Sequence, residues 1–161
     1  VKGNAGRSEL EERFLMRKLA AAFLGLLLCI ALTGCGPSEK QRAVYNDDSL
    51  IAAQSDTYFY VKHLSTQSGT EYTENFGSFT GSDTLWSRNA KEGQTLYVSG
   101  SAEIKEGSWK LVLVDPEGNG SVLLEYGGTV DETVDLSDGN WRVKSVGLEA
   151  KGFVQLTIEE K

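Results

Sequence analysis

From Asp56 to the C-terminus the chain alternates short apolar runs, rich in Val, Leu, Thr, Tyr, Phe and Trp, with breaks built from Gly, Asp, Asn and Ser. In "LYVSGSAEI" the residues Leu96, Val98, Gly100, Ala102 and Ile104 share one parity, and Tyr97, Ser99, Ser101 and Glu103 share the other. A period of two with one dry face is the pattern of a strand packed on one side. It predicts strands near Thr57 to His63, Tyr72 to Thr80, Thr84 to Arg88, Thr95 to Ile104, Trp109 to Val114, Ser121 to Tyr126, Thr129 to Leu136, Trp141 to Leu148 and Phe153 to Glu159. The breaks "TGSD", "AKEGQ", "KEGS", "DPEGNG", "GG", "SDGN" and "EAKG" read as turns, each with a Gly that tolerates positive φ or an Asp or Asn that bonds its own backbone. Two runs depart from simple alternation. "LVLV", Leu111 to Val114, is apolar on both faces, which predicts a central strand. In "WRVKSVGLE" the apolar parity switches between Val143 and Val146, which predicts a bulge or kink near Ser145. With no amphipathic helix between the runs, the expected fold is all-β: an antiparallel β-sandwich of eight or nine strands with Greek-key or jelly-roll connections, over residues 57–161.

Upstream, residues 36–56 are mostly polar and lack a sustained apolar period, so they read as a flexible tether with a helical turn near Ser49 to Gln54. Before them the texture changes again. Met16 is the only methionine; Arg17 and Lys18 follow it, then an uncharged run of 14 residues from Leu19 to Leu32, then small residues. A basic start, an apolar middle and a small-residue end are the parts of a secretory signal peptide. The run is shorter than the roughly 20 residues that span a bilayer, so cleavage is expected rather than a retained anchor. Residues 1–15 are polar and charged, and read as an over-extended start ahead of a true beginning at Met16, with a long n-region as the alternative.

The apolar run ends in Leu32-Thr33-Gly34-Cys35, which resembles the lipobox of bacterial lipoproteins. The resemblance covers residues 16–35. It implies a diacylglyceryl group on the Cys35 thiol, cleavage before Cys35 by signal peptidase II, and acylation of the new amino group. Two or three chains, each methylene contributing about 0.8 kcal/mol, hold a protein to a bilayer where one chain is marginal. The implied location is the extracytoplasmic face of a cell membrane, or the outer membrane in a host that has one. Cys29 lies within the leader, so no disulfide is expected in the mature chain. The final stretch, "DLSDGNWRVKSVGLEAKGFVQLTIEE", resembles the closing hairpin of bacterial jelly-roll modules such as pre-peptidase C-terminal and carbohydrate-binding domains. That likeness bears on fold and leaves the ligand open.

Charge narrows the partners. From Cys35 onward, 20 Asp and Glu stand against 11 Lys and Arg, a formal charge of −9. That sign disfavours nucleic acid and electrostatic attraction to anionic headgroups, leaving the acyl chains on Cys35 as the contact with the bilayer.

The chemistry-bearing residues are few. His63 is the single histidine, placed at the end of a strand as a surface residue, and no Ser sits in a G-x-S-x-G elbow, so an enzyme is not expected. One His without a free Cys makes a zinc site improbable, and no cofactor is expected. "DPEGNG" offers oxygens at Asp115, Glu117 and Asn119, as the start of a calcium loop does, but the twelfth position is Tyr126 where such a loop needs Glu. A hairpin loop, with Gly118 or Gly120 in the left-handed region, is the simpler reading. Asp131, Glu132, Asp135 and Asp138 read as a solvated rim.

The aromatics remain. Trp109 and Trp141 share parity with Leu111, Leu113 and Val143, which predicts burial, whereas Trp86 shares its face with Arg88 and is the best candidate for exposure. Exposed Trp and Tyr offer apolar faces on which sugar rings stack, so Trp86, Arg88 and Tyr97 form the candidate ligand-binding set. The expected function is therefore a non-catalytic binding or accessory module for an envelope protein or a glycan. The alternatives are a structural envelope lipoprotein without a ligand and a glycan-active hydrolase.

Overall fold

The computed structural model describes residues 36–161. The leader, with Met16, Cys29 and the lipobox at Cys35, lies outside the described residues. Six antiparallel strands follow a short helical segment: β1 (Thr57–Ser68), β2 (Glu71–Ala90), β3 (Thr95–Val114), β4 (Gly120–Glu125), β5 (Gly128–Asp135) and β6 (Gly139–Glu160). The sheet order is β1-β2-β6-β3-β4, and β5 shares with β4 the outer edge of β3.

Six strands stand where nine segments were expected because three expected turns are bends within continuous strands. "TGSD", "KEGS" and "EAKG" fall inside β2, β3 and β6. The ladders slip at those points: between Phe76, Phe79 and Gly81 on β2, and between Ile104, Glu106 and Ser108 on β3, both against residues 147–152 of β6. The slips line up across three neighbouring strands, so the sheet turns a corner there. Gly81 shows why a glycine is needed: its φ is +117°, and a Cβ would lie 2.0 Å from the Thr57 carbonyl oxygen.

The bend makes a sandwich out of one sheet. A strand of 20 residues would run about 66 Å if straight, too long for a domain whose radius of gyration is about 14 Å. One buried cluster accordingly takes Phe76, Leu96, Val98, Leu156 and Ile158 from one side of the corner, and Leu85, Trp109, Leu111, Leu113 and Val143 from the other. The first layer is β1, the start of β2, the end of β6, the start of β3, and β5; the second is the end of β2, the start of β6, the end of β3, and β4.

The parity switch near Ser145 has a ladder slip beside it, as expected, and it also reports a second apolar layer. Val146 faces away from Val143 into a second cluster on the outer side of the sheet, with Val112, Val114, Val44, Tyr45 and Ile51. The local slip sits on β2, between Thr84 and Trp86. The same outer layer explains "LVLV", whose two faces feed two clusters.

That layer is made by the segment expected to be a tether, and this is a correction. Helix α1 (Glu39–Ala43), a 3-10 turn (Val44–Asn46) and helix α2 (Asp48–Ile51) pack on the sheet. Ser38 and Gln41 form a reciprocal capping box on α1, and the Asp47 carboxylate accepts from the Ser49 and Leu50 amides to cap α2. Arg142 and the fully buried Lys144 donate to the Ala53 carbonyl, at 2.9 and 2.6 Å, and Lys144 also pairs with Asp56 at 3.0 Å.

Candidate functional site

Trp86 and Arg88 lie on the same cleft. The hairpin between β1 and β2 (Gln67, Gly69, Thr70), both halves of β2 (Tyr72, Leu85, Trp86, Arg88) and the end of β6 (Ile158, Glu160) enclose a volume of about 230 Å³. The bend of β2 places Tyr72 and Trp86 together, because it folds the two ends of one strand into facing layers. The slip at Leu85 turns both Leu85 and Trp86 toward the cleft. Trp86 is half-buried and packs its inner edge on the core, while Arg88 is exposed. Glu160 is held by the Gln94 amide, which donates to Oε1 at 2.6 Å. Burial of the Tyr72 ring beside Glu74 and Asp83 pushes its hydroxyl far above the ordinary tyrosine range, so it stays a neutral donor and acceptor.

Tyr97 is not part of this cleft. It lies on β3, separated from β2 by β6, opposite Glu159, and Lys161 Nζ sits 5.4 Å from its ring centroid. Trp109 is fully buried and donates from Nε1 to Ser145 Oγ at 2.7 Å; Trp141 is half-buried and donates to the Ser137 carbonyl at 3.0 Å.

The Asp115 loop closes on itself. Asp115 accepts from the Asn119 amide N–H at 2.7 Å and from the Asn119 side-chain NH₂ at 2.8 Å, and the side-chain bond is the main reason its carboxyl is held below the usual range. Asn119 thus aims donors at Asp115, and Gly118 takes the left-handed region with φ 87°. Among the described residues no group of three or more His, Cys, Asp and Glu is placed to hold a metal.

His63 is a surface residue, as expected, but it does not end its strand. β1 continues past it to Ser68, and its ring is 28% exposed, stacked on Tyr60 at 3.8 Å between centroids. Nε2 lies 2.7 Å from Oε1 of Glu74, whose side chain is fully buried. Tyr60 donates its hydroxyl hydrogen to the same Oε1 at 2.7 Å, and its oxygen is 3.3 Å from Asp83 Oδ2. A phenol has one hydrogen to give, so Asp83 bonds to Tyr60 only when it carries a proton of its own. Among the described residues Glu74 Oε2 has no hydrogen-bond partner. The Trp86 cleft is lined by neither His63 nor Glu74. The sequence hides this cluster, because Glu74 meets His63 only through hairpin register.

No family model matches the chain, and no curated protein matches it. Two Drosophila melanogaster structures, CENP-C bound to CAL1 and the CENP-C cupin domain, each cover 88% of this chain and 99% and 98% of their own at 10% identity, with TM-scores of 0.27 and 0.25. A non-crystalline cellulose-specific carbohydrate-binding module, CBM28, covers 68% of this chain and 80% of its own at 10% identity, with a TM-score of 0.25. At such scores the likenesses assign neither a family nor a ligand.

The buried carboxylates make a pH prediction. Burial pushes the Glu74 carboxyl above its ordinary value of 4.5, and burial together with the negative Asp56 raises Asp83. The folded state holds these protons more tightly than the unfolded chain does, so their contribution to stability is full below the ordinary carboxylate range. It is lost as pH rises through the folded values. Thermal unfolding between about pH 4 and about pH 7 should show wild type losing midpoint temperature relative to Glu74→Gln as pH rises. Parallel curves for the two proteins would place the titration elsewhere.

Proposed function

We propose that the protein is an extracytoplasmic lipoprotein, anchored through Cys35, whose β-sandwich is a non-catalytic module that binds glycan in the Trp86 cleft. The observation that supports this reading most directly is the pairing of two aromatic walls, Trp86 and Tyr72, with Gln67, Thr70, Arg88 and Glu160 around one opening. A sugar ring needs that combination, an apolar face to stack on and polar groups for its hydroxyls. At about 230 Å³ the cleft is smaller than the roughly 300 Å³ at which drug-sized pockets begin, so it takes one terminal sugar rather than a length of chain.

A glycan array probed with the protein tests this. Trp86→Ala should lose about 1 kcal/mol of stacking, roughly a fivefold weaker Kd, while Tyr97→Ala should leave binding unchanged. Equal binding by Trp86→Ala would remove the cleft from the account. A second reading, an envelope-protein partner, is favoured by β1, an edge strand with Tyr58, Val61 and Leu64 exposed. A blank array with retained capture of an envelope protein moves the function to that edge. A blank array with no capture leaves a structural lipoprotein. For the anchor, mass spectrometry of membrane-extracted protein should find lipid on Cys35.

A further inference from the structure

A second cleft, of about 240 Å³, opens at the corner of the sheet, with Lys62, Gly77, Lys105, Lys151 and Phe153 in its lining. Its lining contains three cations and no carboxylate, in a chain that is strongly acidic from Cys35 onward. The lysines come from three strands, β1, β3 and β6, and each sits at an irregularity of the ladder. Pairing of β1 with β2 skips Lys62 and Gly77, and Lys62 holds a left-handed φ of 54°. Lys105 is the extra residue of the slip between Ile104 and Glu106, and Lys151 faces that slip. A left-handed lysine is costly, and bulges re-aim side chains, so convergence of all three on one opening marks a built feature of the corner. Gly77 forms its floor: the Lys62 stem crosses it, and a Cβ there would lie 3.2 Å from Lys62 Cβ and 3.0 Å from the Val61 carbonyl oxygen.

Two nearby carboxylates offset part of this charge without reversing it, since three ammonium groups stand against Glu103 and Glu106. Glu106 pairs with Lys151 at 2.9 Å and Glu103 with Lys105 at 3.5 Å, both through largely exposed side chains, and such pairs contribute little. Lys62 has no ion pair among the described residues. We infer that this corner cleft is an anion site that takes a phosphate ester, with Lys62, Lys105 and Lys151 around the phosphate and the ester's carbon part against Phe153, which is 36% exposed. Separate ammonium groups from three strands suit a tetrahedral anion carrying several oxygens and up to two charges. A carboxylate, planar and singly charged, is the partner of an arginine fork, which the cleft lacks. The inference stands on a different cleft from the glycan reading and does not depend on it.

The test is calorimetric titration of the full chain in neutral detergent micelles, at about 0.15 M salt, with sn-glycerol 3-phosphate and with glycerol. Saturable binding of the ester and none of glycerol is expected. Lys62→Gln keeps the backbone and the stem, and should weaken binding about fivefold, while Lys91→Gln, outside the cleft, should leave it unchanged. Displacement of the ester by phosphatidylglycerol in the micelles, and not by phosphatidylcholine, would identify the source as a lipid headgroup; absence of displacement would identify a soluble or polymer-borne ester. A titration without saturation, or equal weakening by Lys62→Gln and Lys91→Gln, would overturn the site.

Discussion

Trp109→Ala is expected to cost the domain about 3–5 kcal/mol, read as a drop in the urea unfolding free energy at unchanged m-value. Trp109 is the largest fully buried side chain, and it lies in the cluster to which both layers of the sandwich contribute. Removing it empties a space that neighbours on three strands cannot all refill. The packing is close: Trp109 is opposite Gly147, and a Cβ on Gly147 would lie 2.4 Å from Phe79 Cδ1. Truncation also strips Ser145 Oγ of its donor, and an unpaired buried hydroxyl adds to the loss. Trp109→Phe separates the contributions. It keeps most of the apolar volume and forfeits the Nε1 bond, so about 1–3 kcal/mol is expected. A domain of this size holds only about 5–15 kcal/mol in total, so the alanine variant should unfold at markedly lower temperature. A loss under about 1 kcal/mol would mean that the layers do not close around this ring.

The parity that predicted burial of Trp109 was readable because both of its neighbours of like parity, Leu111 and Leu113, point to the same core. The nine expected segments survive as well, as whole strands or as halves of bent ones. What the pattern could not reveal is whether "KEGS" reverses the chain or only bends it. A turn and a bulge ask for the same residues, a glycine with positive φ beside polar neighbours, and here Gly107, with φ 71°, serves a corner. Alternation likewise reports that a face is apolar without saying what covers it. Val146 broke the parity of β6 because a second layer lies over that face, and the residues covering it, Val44, Tyr45 and Ile51, are too few and too widely spaced among polar ones to show a period.

The sites were less legible than the fold for the same reason. Trp86 and Arg88 could be paired from local parity, and they share a cleft. Tyr97 could not be excluded from it, because the insertion of β6 between β2 and β3 is a fact of topology. His63 meets Glu74, and Lys62 meets Lys105 and Lys151, through register and through the bend of the sheet. Neither set leaves a spacing that a motif would capture.

Lys144→Met tests the most consequential of those corrections, the ordering of residues 38–56. Lys144 is fully buried, and its ammonium bridges the Ala53 carbonyl and Asp56. Methionine replaces the stem and removes the charge, which leaves Asp56 partly buried without its cation. Breaking such a pair costs about 3–5 kcal/mol when both ends are dry; Asp56 is 23% exposed and keeps two hydrogen bonds from Thr84, so a loss of about 3 kcal/mol is expected. The loss should be local as well as global. Arg142 still donates to Ala53, but the segment from Val44 to Ala53 loses the Lys144 clamp, so its amides should exchange faster while those of β6 outside the clamp stay protected. Adding Asp56→Asn to Lys144→Met should recover part of the stability, because the stranded charge disappears. If Lys144→Met exchanges and unfolds as wild type does, residues 38–56 are held by the apolar contacts of Val44, Tyr45 and Ile51 and by the remaining hydrogen bonds, Arg142 to Ala53 among them, and not by the Lys144 clamp. Under the lipoprotein reading the clamp also sets reach: with the chain fastened to the sheet from Ser38 onward, Cys35 is only a few residues from the folded domain, and the sandwich would ride close to the membrane instead of on a long tether.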